Sequence, residues 1–478
     1  MKILLVCPPV PTHMPTRGSF PLGLGYLAAV LLRAGFEVEL LDFNIRTFSR
    51  AAMTRLLIAK AKECDGVGFS GMVTMLGTIQ WMAQVVKQVA PHVPVVVGGS
   101  VASPMPEFLL QRTAADIACI GEGEETVCEL ANALEKNEPI GSVLGLCIKE
   151  GKTIYRTGTR PLIKNLDALP FPAWDHFEIH QYAKNNYFVN TPYRSMNLIA
   201  GRGCPYRCTF CYRNFGNRVR VRSVENILLE IETLIERYGV HHFDFQDELF
   251  TLNDAHVRQF CSKVIEKRLN ITWRCLGRVN LAEGELYKLM KAAGCHWLGF
   301  GIESGSPKML KVMDKRINLD EARQAIALGR QAGIHVTGTF IMGLPGENSE
   351  TISETVRFCK ENKLYNKPFY PVPYPGTLLF ESLVRSGTLH DGNMESLIGK
   401  MERDATELII NLTDMSDTDL IRLKEDAESE IRGAVAGTRG FKALILLAKE
   451  TAAIWGISGL VRLFFKMTAR KWGKLLKK

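Results

Sequence analysis

Apolar and polar residues alternate in a regular way along the first 150 residues of the chain. Short apolar runs of strand length are separated by longer segments in which apolar residues recur at helical spacing. The predicted strands cover residues 2–7, 37–42, 66–70, 93–97 and 117–120, and the predicted helices cover residues 22–34 and 75–90. Strands interleaved with helices predict a parallel, doubly wound α/β sheet with a crevice beyond the carboxyl ends of its strands.

The same alternation resumes in the middle of the chain. The predicted strands there cover residues 197–200, 241–245, 272–275, 297–302, 335–341 and 369–372. Six strands with intervening helices predict a partial parallel barrel of the (β/α)6 type. In such barrels the functional residues follow the carboxyl ends of the strands.

Turns and prolines separate these two regions, and a helical pattern follows them. Proline-rich segments are typical of stiff connections. The predicted domains are therefore a flavodoxin-like or Rossmann-like domain (1–150), a linker (151–193), the partial barrel (194–384) and a helical carboxyl-terminal region (385–478).

Positive charge is concentrated at the carboxyl end of the chain. The formal net charge is +9, and residues 441–478 contain nine lysines and arginines against one glutamate. The remainder is close to neutral, so a nucleic-acid partner is not predicted. Trp455, Phe464, Phe465 and Trp472 lie among these charges, and two interpretations stay open: a basic helix at a membrane interface, or a helix packed on the barrel. Charges interrupt every long apolar run, and no membrane-spanning helix is predicted.

The 12 cysteines do not suggest a disulfide framework. The 478-residue chain begins with a short strand-like run followed by two prolines, which does not resemble a secretory signal. Free thiols are typical of a reducing compartment, so a cytoplasmic location is predicted, with peripheral contact at the inner face of the membrane if the carboxyl-terminal segment binds lipid. Nine cysteines lie apart in apolar patterns and are predicted to be buried thiols.

The other three cysteines, Cys204, Cys208 and Cys211, lie within eight residues in a turn-forming segment that follows a predicted strand. Closely spaced soft thiolates suit an iron–sulfur cluster. A 4Fe–4S cluster held by three protein ligands keeps one iron open for a small molecule, as a catalytic metal site requires. The alternatives are buried core thiols or a zinc site, but zinc would want a fourth ligand nearby and none stands at a suitable spacing.

The spacing Cys-x3-Cys-x-aromatic-Cys resembles the signature of the radical S-adenosylmethionine (SAM) superfamily. The resemblance implies that the open iron chelates SAM, that the cluster passes one electron to the sulfonium, and that a 5′-deoxyadenosyl radical forms. Phe210 matches the aromatic position expected near the adenine.

Three glycine-rich segments of the amino-terminal region, 21–29, 96–100 and 120–126, resemble the cobalamin-binding domain fused to many radical SAM enzymes. The residues that this resemblance places against cobalamin are Ser70, Gly98, Gly99, Gly121 and Glu122. The usual Asp-x-His-x2-Gly motif is absent, so base-off binding without a protein histidine is expected. Two alternatives stay open: His13 approaches the corrin, or the domain is a scaffold that binds no cobalamin.

Several strand ends of the predicted barrel carry residues that the resemblance assigns to SAM. Residues 299–306, Gly-Phe-Gly-Ile-Glu-Ser-Gly-Ser, are a specific match to the same group of enzymes. The expected SAM-binding residues are Asp247, Arg278, Glu303, Ser304 and Gly343. A helix cap is the alternative for Asp247, and a surface salt bridge is the alternative for Arg278.

Two further residues are predicted near the reaction itself. Tyr374 belongs to a Pro-Tyr-Pro-Gly-Thr turn of the same group and is expected to line the substrate cavity. Cys275 ends a predicted barrel strand, and the hypothesis for it is a radical-quenching or methyl-relay thiol.

The resemblance implies a cobalamin-dependent radical SAM enzyme, most often a methyltransferase of unactivated carbon. An oxidative cyclase or ring-rearranging enzyme is one alternative, and a sensor that binds cluster and SAM without catalysis is another. The implied partners are a small-molecule substrate of a hydrophobic, lipid-like or tetrapyrrole kind and a one-electron donor such as flavodoxin or ferredoxin.

Overall fold

The computed structural model describes residues 1–10, 19–185, 193–402 and 406–436 of the chain. The strands are β1 (Lys2–Cys7), β2 (Glu37–Asp42), β3 (Gly66–Ser70), β4 (Val95–Gly98), β5 (Ile117–Cys119), β6 (Leu146–Glu150), β7 (Thr153–Arg156), β8 (Arg194–Leu198), β9 (Gly201–Arg202), β10 (Arg220–Val221), β11 (Val240–Phe245), β12 (Thr272–Gly277), β13 (Cys295–Glu303) and β14 (His335–Phe340). The helices are α1 (Leu22–Arg33), α2 (Arg50–Ala61), α3 (Leu76–Val89), α4 (Pro106–Arg112), α5 (Glu124–Glu135), α6 (Ile179–Asn185), α7 (Val224–Tyr238), α8 (Asp254–Glu266), α9 (Gly284–Ala292), α10 (Pro307–Val312), α11 (Leu319–Gln331), α12 (Ser349–Glu361), α13 (Leu378–Arg385), α14 (Asp391–Lys400) and α15 (Asp417–Ala436).

The amino-terminal sheet has the strand order β2-β1-β3-β4-β5-β6-β7. Its first five strands are parallel, and the order reverses between β1 and β3. In doubly wound sheets a ligand binds beyond the carboxyl ends of the strands at such a reversal. The predicted doubly wound α/β fold of this region is therefore confirmed.

An antiparallel hairpin, β6–β7, extends this sheet and was not predicted. β6 pairs antiparallel with β5, and the hairpin turns at Gly151, which has a φ of +59°. Glycine is favoured there because the left-handed region is costly for other residues. The segment Cys147-Ile-Lys-Glu-Gly-Lys-Thr-Ile-Tyr155 alternates around this glycine, so its pattern carried the signal.

The second sheet has the order β14-β13-β12-β11-β8, and all its pairs are parallel. The predicted partial barrel is confirmed, with five strands rather than six. The sixth position is held only by a parallel bridge between Ile341 and Phe369. Prolines at positions 368, 371, 373 and 375 surround Phe369. Because proline has no backbone N–H, this segment cannot form a regular ladder.

The chain forms two compact units, each built from segments that are distant in the sequence. The first unit consists of Met1–Asn185, Ile199–Glu230 and Val372–Ile410, as far as these segments are described. The second consists of the described residues of Asn186–Leu198, Ile231–Pro371 and Asn411–Lys478.

Two predicted features lie outside the described residues: His13, and the basic segment 441–478. Within the part of the chain that the structure covers, no helix has both the length and the apolar character needed to cross a membrane.

Candidate active site

The three closely spaced cysteines lie on one loop of the first unit, here called the cysteine loop (203–219). The two-residue strands β9 and β10 pair antiparallel and close its base, with Arg202 opposite Arg220. Gly203 has a φ of +94°, and a Cβ there would collide with the carbonyl oxygen of Arg218. Only glycine fits this position, so the Gly203 that precedes Cys204 is required by the backbone path.

The cysteine loop holds the most accessible thiols among the described residues. Cys211 is exposed and Cys204 and Cys208 are half-buried, whereas eight of the other nine cysteines are buried. Burial raises the pKa of the Cys119 and Cys359 thiols to about 12, so these two stay protonated.

The cysteine loop fits a cluster by donor type, spacing and accessibility. Its backbone is tied by hydrogen bonds from Cys204 N to Gly216 O (3.2 Å) and from Cys211 N to Cys208 O (3.2 Å). The thiol side chains themselves do not converge, since no three His, Cys, Asp or Glu residues of the described chain are gathered as in a closed metal site. Phe210 lies half-buried on the same loop.

The turn that contains Tyr374 packs against the tip of the cysteine loop. Gly376, with a φ of +83°, lies so close that an added Cβ would be 2.9 Å from the Tyr212 ring and 3.0 Å from Pro104. Leu379 N donates to Thr209 O at 2.8 Å. Tyr374 itself is half-buried. The loop after β4, the cysteine loop and the turn before α13 therefore meet at one point.

Backbone atoms dominate the carboxyl edge of the amino-terminal sheet. Gly99 has a φ of +86°, and a Cβ there would lie 2.5 Å from Gly71 O, so the two loops touch through their main chains. Ser70 and Gly98 are half-buried, and Gly121 is exposed with open space where a Cβ would stand. An edge that offers main-chain groups without bulky side chains suits a large, flat cofactor such as cobalamin.

Glu122, one of the predicted cobalamin contacts, lies among arginines of the first unit. Its side chain is 2% exposed and accepts hydrogen bonds from Arg202 (3.0 Å) and Arg220 (2.7 and 2.9 Å) and from Ile163 N (2.8 Å). A buried carboxylate requires such partners because it has lost its water. The structure thus places Glu122 at the base of the cysteine loop, and the predicted contact with cobalamin stays a prediction.

Glu303, in the second unit, lies at a β-bulge where the β13–β14 register shifts. Its φ of +73° is unusual for a residue with a side chain. The buried carboxylate pairs with Lys315 (3.3 Å) and accepts hydrogen bonds from the Thr339 hydroxyl (3.2 and 3.3 Å). Strained, buried charged groups at a strand end are typical of functional sites. Lys315 was not among the predicted site residues.

Arg278 is buried, and its guanidinium donates to the backbone carbonyls of Lys315 and Arg316. The guanidinium thereby supplies hydrogen-bond donors to two carbonyls of the loop that follows α10. The predicted surface salt bridge is therefore wrong. The predicted SAM contact stays a prediction, as it does for Asp247, which is buried directly after β11.

Ser304 and Gly343 both take part in buried polar contacts beside α12. Ser304 Oγ lies 3.1 Å from Thr355 Oγ1 and accepts a hydrogen bond from Ser306 N. Gly343 N donates to Glu347 at 2.8 Å. Burial raises the pKa of the Glu347 carboxyl, and the Gly343 N–H opposes that shift. Ser304 thus anchors the strand end to a helix.

Cys275 lies on the sheet face that the helices cover. Cys275 is two residues from Trp273 in β12, so the two side chains lie on the same face of the sheet. Trp273 packs against Phe260 of α8, with ring centroids 5.6 Å apart. Burial raises the pKa of Cys275 well above its ordinary value, and a hydrogen bond with Cys295 adds to this. Its burial in this packed layer is what a core thiol would show, and the radical-quenching or methyl-relay role stays a prediction.

The opposite face of the second sheet is polar and partly accessible, which sequence reasoning missed. Arg274 pairs with Asp244 at 2.6 Å and lies over the Trp297 ring at 4.7 Å. Burial raises the pKa of the Asp244 carboxyl, and Arg274 lowers it in part. The period-2 alternation of β11 and β12 contained this signal, because His242 and Asp244 in β11, and Thr272 and Arg274 in β12, alternate with buried apolar residues.

Family comparisons match the two regions separately. Residues 198–359 match the Radical SAM superfamily, and residues 18–131 match the B12 binding domain. The uncharacterized methyltransferase PH0819 of Pyrococcus horikoshii is 32% identical over 397 residues, which cover 81% of this chain and 84% of the relative. The anaerobic magnesium-protoporphyrin IX monomethyl ester cyclase of Cereibacter sphaeroides is 29% identical over 379 residues, covering 77% of this chain and 61% of the relative.

A solved structure shares the fold. The radical SAM methyltransferase TsrM from Kitasatospora setae, solved with cobalamin and a [4Fe-4S] cluster, superposes with a TM-score of 0.68 at 21% identity, over 80% of this chain and 75% of that one. Both sheets described above lie within an architecture that is already known.

Proposed function

The chain belongs to the radical SAM superfamily and carries a B12-binding domain, and from this premise we propose that it is a cobalamin-dependent radical SAM methyltransferase that acts on a small molecule. The observation that carries the proposal is that one compact unit contains both the doubly wound sheet and the cysteine loop. The turn at Gly376 contacts the loop after β4 and the cysteine loop, and Glu122 after β5 bonds Arg202 at the base of the cysteine loop.

The cysteine loop would hold the cluster through Cys204, Cys208 and Cys211. When bound, a 4Fe–4S cluster supplies one electron for cleavage of SAM, and methylcobalamin supplies the methyl group. The chain's own part is to fix these groups and exclude water. Gly203 sets the path of the loop, and the Gly376 turn supports its tip.

In the second unit the Glu303–Lys315 pair is our candidate for SAM. A buried pair of opposite charges can exchange partners with the ammonium and carboxylate of SAM without leaving an unpaired charge. Asp247 and Gly343, also at strand ends, are assigned to the same ligand, and Phe210 to its adenine.

For cobalamin we propose base-off binding with no histidine from the protein on the lower face. The glycine edge formed by Gly71, Gly98 and Gly99 supports this, because it presents main chain rather than side chains. The absorption spectrum of the reconstituted protein tests it, since coordination by a protein histidine would give a base-off/His-on spectrum.

The loop's role is tested by Cys208→Ser, with the half-buried Cys128→Ser as a matched control outside the loop. After anaerobic reconstitution we expect Cys208→Ser to lose most of its iron and to form at least 100-fold less 5′-deoxyadenosine, because the cluster loses one of its three protein ligands. Cys128→Ser should match the unchanged protein. Full iron content and normal SAM cleavage in Cys208→Ser would contradict the proposal.

The reaction class is tested by measuring two products of the reconstituted protein. Methyl transfer predicts both 5′-deoxyadenosine and S-adenosylhomocysteine. The second candidate, an oxidative cyclase, has support from the similarity to the Cereibacter cyclase and predicts 5′-deoxyadenosine alone. A sensor predicts SAM binding with neither product.

We propose a hydrophobic, lipid-like or tetrapyrrole substrate, and flavodoxin or ferredoxin as the electron donor, in a cytoplasmic setting. The support for a hydrophobic substrate is the basic, aromatic segment 441–478, whose composition suits contact with the inner face of the membrane.

A further inference from the structure

A buried ionic network lies at the base of the cysteine loop. Arg202 and Arg220 both donate to Glu122, as described above. Arg202 also donates to Glu124 at 2.5 Å, and Arg220 also donates to the carbonyls of Ile163 (2.8 Å) and Phe215 (3.0 Å). The four charged side chains of the network, Glu122, Glu124, Arg202 and Arg220, are between 2% and 9% exposed. Cluster ligation and cobalamin binding, as proposed above, do not use them.

The two arginine side chains carry like charges at directly opposite positions, so they repel each other. Arg202 and Arg220 are direct cross-strand partners in the β9–β10 ladder, which has only two residue pairs. Like charges directly opposite in a ladder are destabilising. Glu122 bonds both guanidinium groups and so allows this ladder to close under the loop.

The two glutamates come from another part of the first unit. Glu122 lies in the turn after β5, and Glu124 is the first residue of α5. This turn belongs to the region that matches the B12 binding domain. The network therefore connects two sites. Glu122 lies beside Gly121 at the proposed cobalamin edge, and Arg202 lies two residues before Cys204.

Stability alone does not account for such a network. Replacing buried ion pairs by apolar residues of similar volume is often neutral or stabilising, and in some proteins buried charged or polar groups instead specify one geometry. Arg202 also stacks over the rings of Tyr26 in α1 (5.3 Å) and Phe215 in the loop (4.9 Å). Its orientation is thus fixed on both sides.

We propose that Glu122 is a positioning residue that locks the cysteine loop to the cobalamin-binding part, so that the separation of cluster and cobalamin is set by one ion-pair network. This inference rests on the proposed function. It replaces the expected contact between Glu122 and the corrin with a contact that acts on the cluster through Arg202 and Arg220.

The test compares Glu122→Gln, Glu122→Asp and Glu230→Gln in the full, reconstituted chain. Glu230 is a matched control because it is fully buried and pairs with Arg222 at 2.5 Å, directly beyond the β9–β10 ladder, whereas Glu122 bonds the ladder arginines Arg202 and Arg220 themselves. The readouts are bound cobalamin, the electron paramagnetic resonance spectrum of the reduced cluster with and without SAM, and the ratio of 5′-deoxyadenosine to S-adenosylhomocysteine.

We expect Glu122→Gln to bind cobalamin at the wild-type ratio, to show an altered cluster spectrum, and to change the product ratio at least fivefold. Glu122→Asp, which keeps the charge, should restore part of the spectrum, and Glu230→Gln should keep the wild-type spectrum. Loss of cobalamin with an unchanged spectrum in Glu122→Gln would overturn the proposal, as would equal spectral changes in Glu230→Gln.

Two other outcomes also have a defined interpretation. If Glu122→Gln does not fold, Glu124→Gln removes only the second contact of Arg202 and is measured in the same way. If the unchanged protein forms neither product, the proposed function has failed. The cobalamin and resonance readouts then still decide whether Glu122 positions the loop.

Discussion

Two histidines are buried in the second unit with their ring centroids 4.8 Å apart. Burial lowers the pKa of His296 to about 3, and burial together with His296 and Arg274 lowers the pKa of His242 well below its ordinary value. His242 lies 2.8 Å from the Thr272 hydroxyl through Nδ1. Both rings are therefore neutral in the folded chain at neutral pH.

These histidines predict acid sensitivity. As the pH falls below about 6.5, these histidines become protonated in the unfolded chain but stay neutral in the folded chain. Their contribution to the free energy of unfolding is therefore fully present above that pH and is lost as the pH falls toward 3. Each histidine contributes roughly 1.4 kcal/mol per pH unit in this window. We expect the free energy of urea unfolding to fall between pH 7.5 and 5.5, and His296→Gln to lose about half of that dependence. The exposed His92→Gln should keep all of it; equal pH dependence in all three proteins would refute the assignment.

At the residue scale, the sequence predicted which residues are functional candidates better than it predicted which side chains they bond. The three cluster cysteines could be identified because spacing along one loop is a local property. The role of Glu122 could not, because its partners Arg202 and Arg220 are about 80 and 98 positions away. Lys315 was missed for the same reason: its pairing with Glu303 depends on a bulge that no local pattern encodes.

At the scale of elements, the turn before α13 is the most constrained. Gly376 combines a positive φ with close contacts to Tyr212 and Pro104, whereas Gly387 after the same helix has a φ of +75° and open space around it. The two glycines therefore separate backbone strain from crowding.

We predict that Gly387→Ala costs about 1 kcal/mol of unfolding free energy through left-handed backbone strain alone. Gly376→Ala should cost roughly 2–4 kcal/mol, because its methyl group must also displace the Tyr212 ring or Pro104. Because Tyr212 follows Cys211, the same variant should retain less iron after reconstitution. Chemical denaturation and iron analysis check both effects, and equal losses in the two variants would count against the crowding argument.

Strands with strong apolar patterns were predicted within a few residues of their observed ends. The misses have identifiable causes. The hairpin β6–β7 crosses the predicted boundary at residue 150, so that β6 lies within the predicted domain and β7 within the predicted linker, and both strands are short. The sixth barrel strand was predicted from its apolar residues, but four prolines leave it only the Ile341–Phe369 bridge.

At the scale of the whole molecule, the two compact units are discontinuous in sequence. The cysteine loop follows β8 of the second sheet along the chain, yet residues 199–230 belong to the first unit. A reading of the sequence as successive blocks cannot find this, since the blocks are defined by chain order and the units by contacts. The predicted boundaries at 150, 193 and 384 stay predictions.

The basic segment 441–478 predicts a whole-molecule property. We expect the intact chain to float with vesicles that contain anionic lipid, and a chain ending at residue 436 to float at least tenfold less, because each basic residue near such a surface contributes about 1 kcal/mol. Vesicles of zwitterionic lipid serve as the control. Equal flotation of the two chains would contradict membrane contact through this segment.

The three-segment construction of the first unit also orders events during synthesis. The ribosome makes Cys204, Cys208 and Cys211 long before it makes the turn at Gly376 that covers the loop tip. The nascent chain therefore contains all three thiols while about 165 further residues, up to Gly376, are still being translated. A cluster inserted during that interval would enter the loop before the turn at Gly376 packs against it, so the order of synthesis favours metal loading ahead of closure.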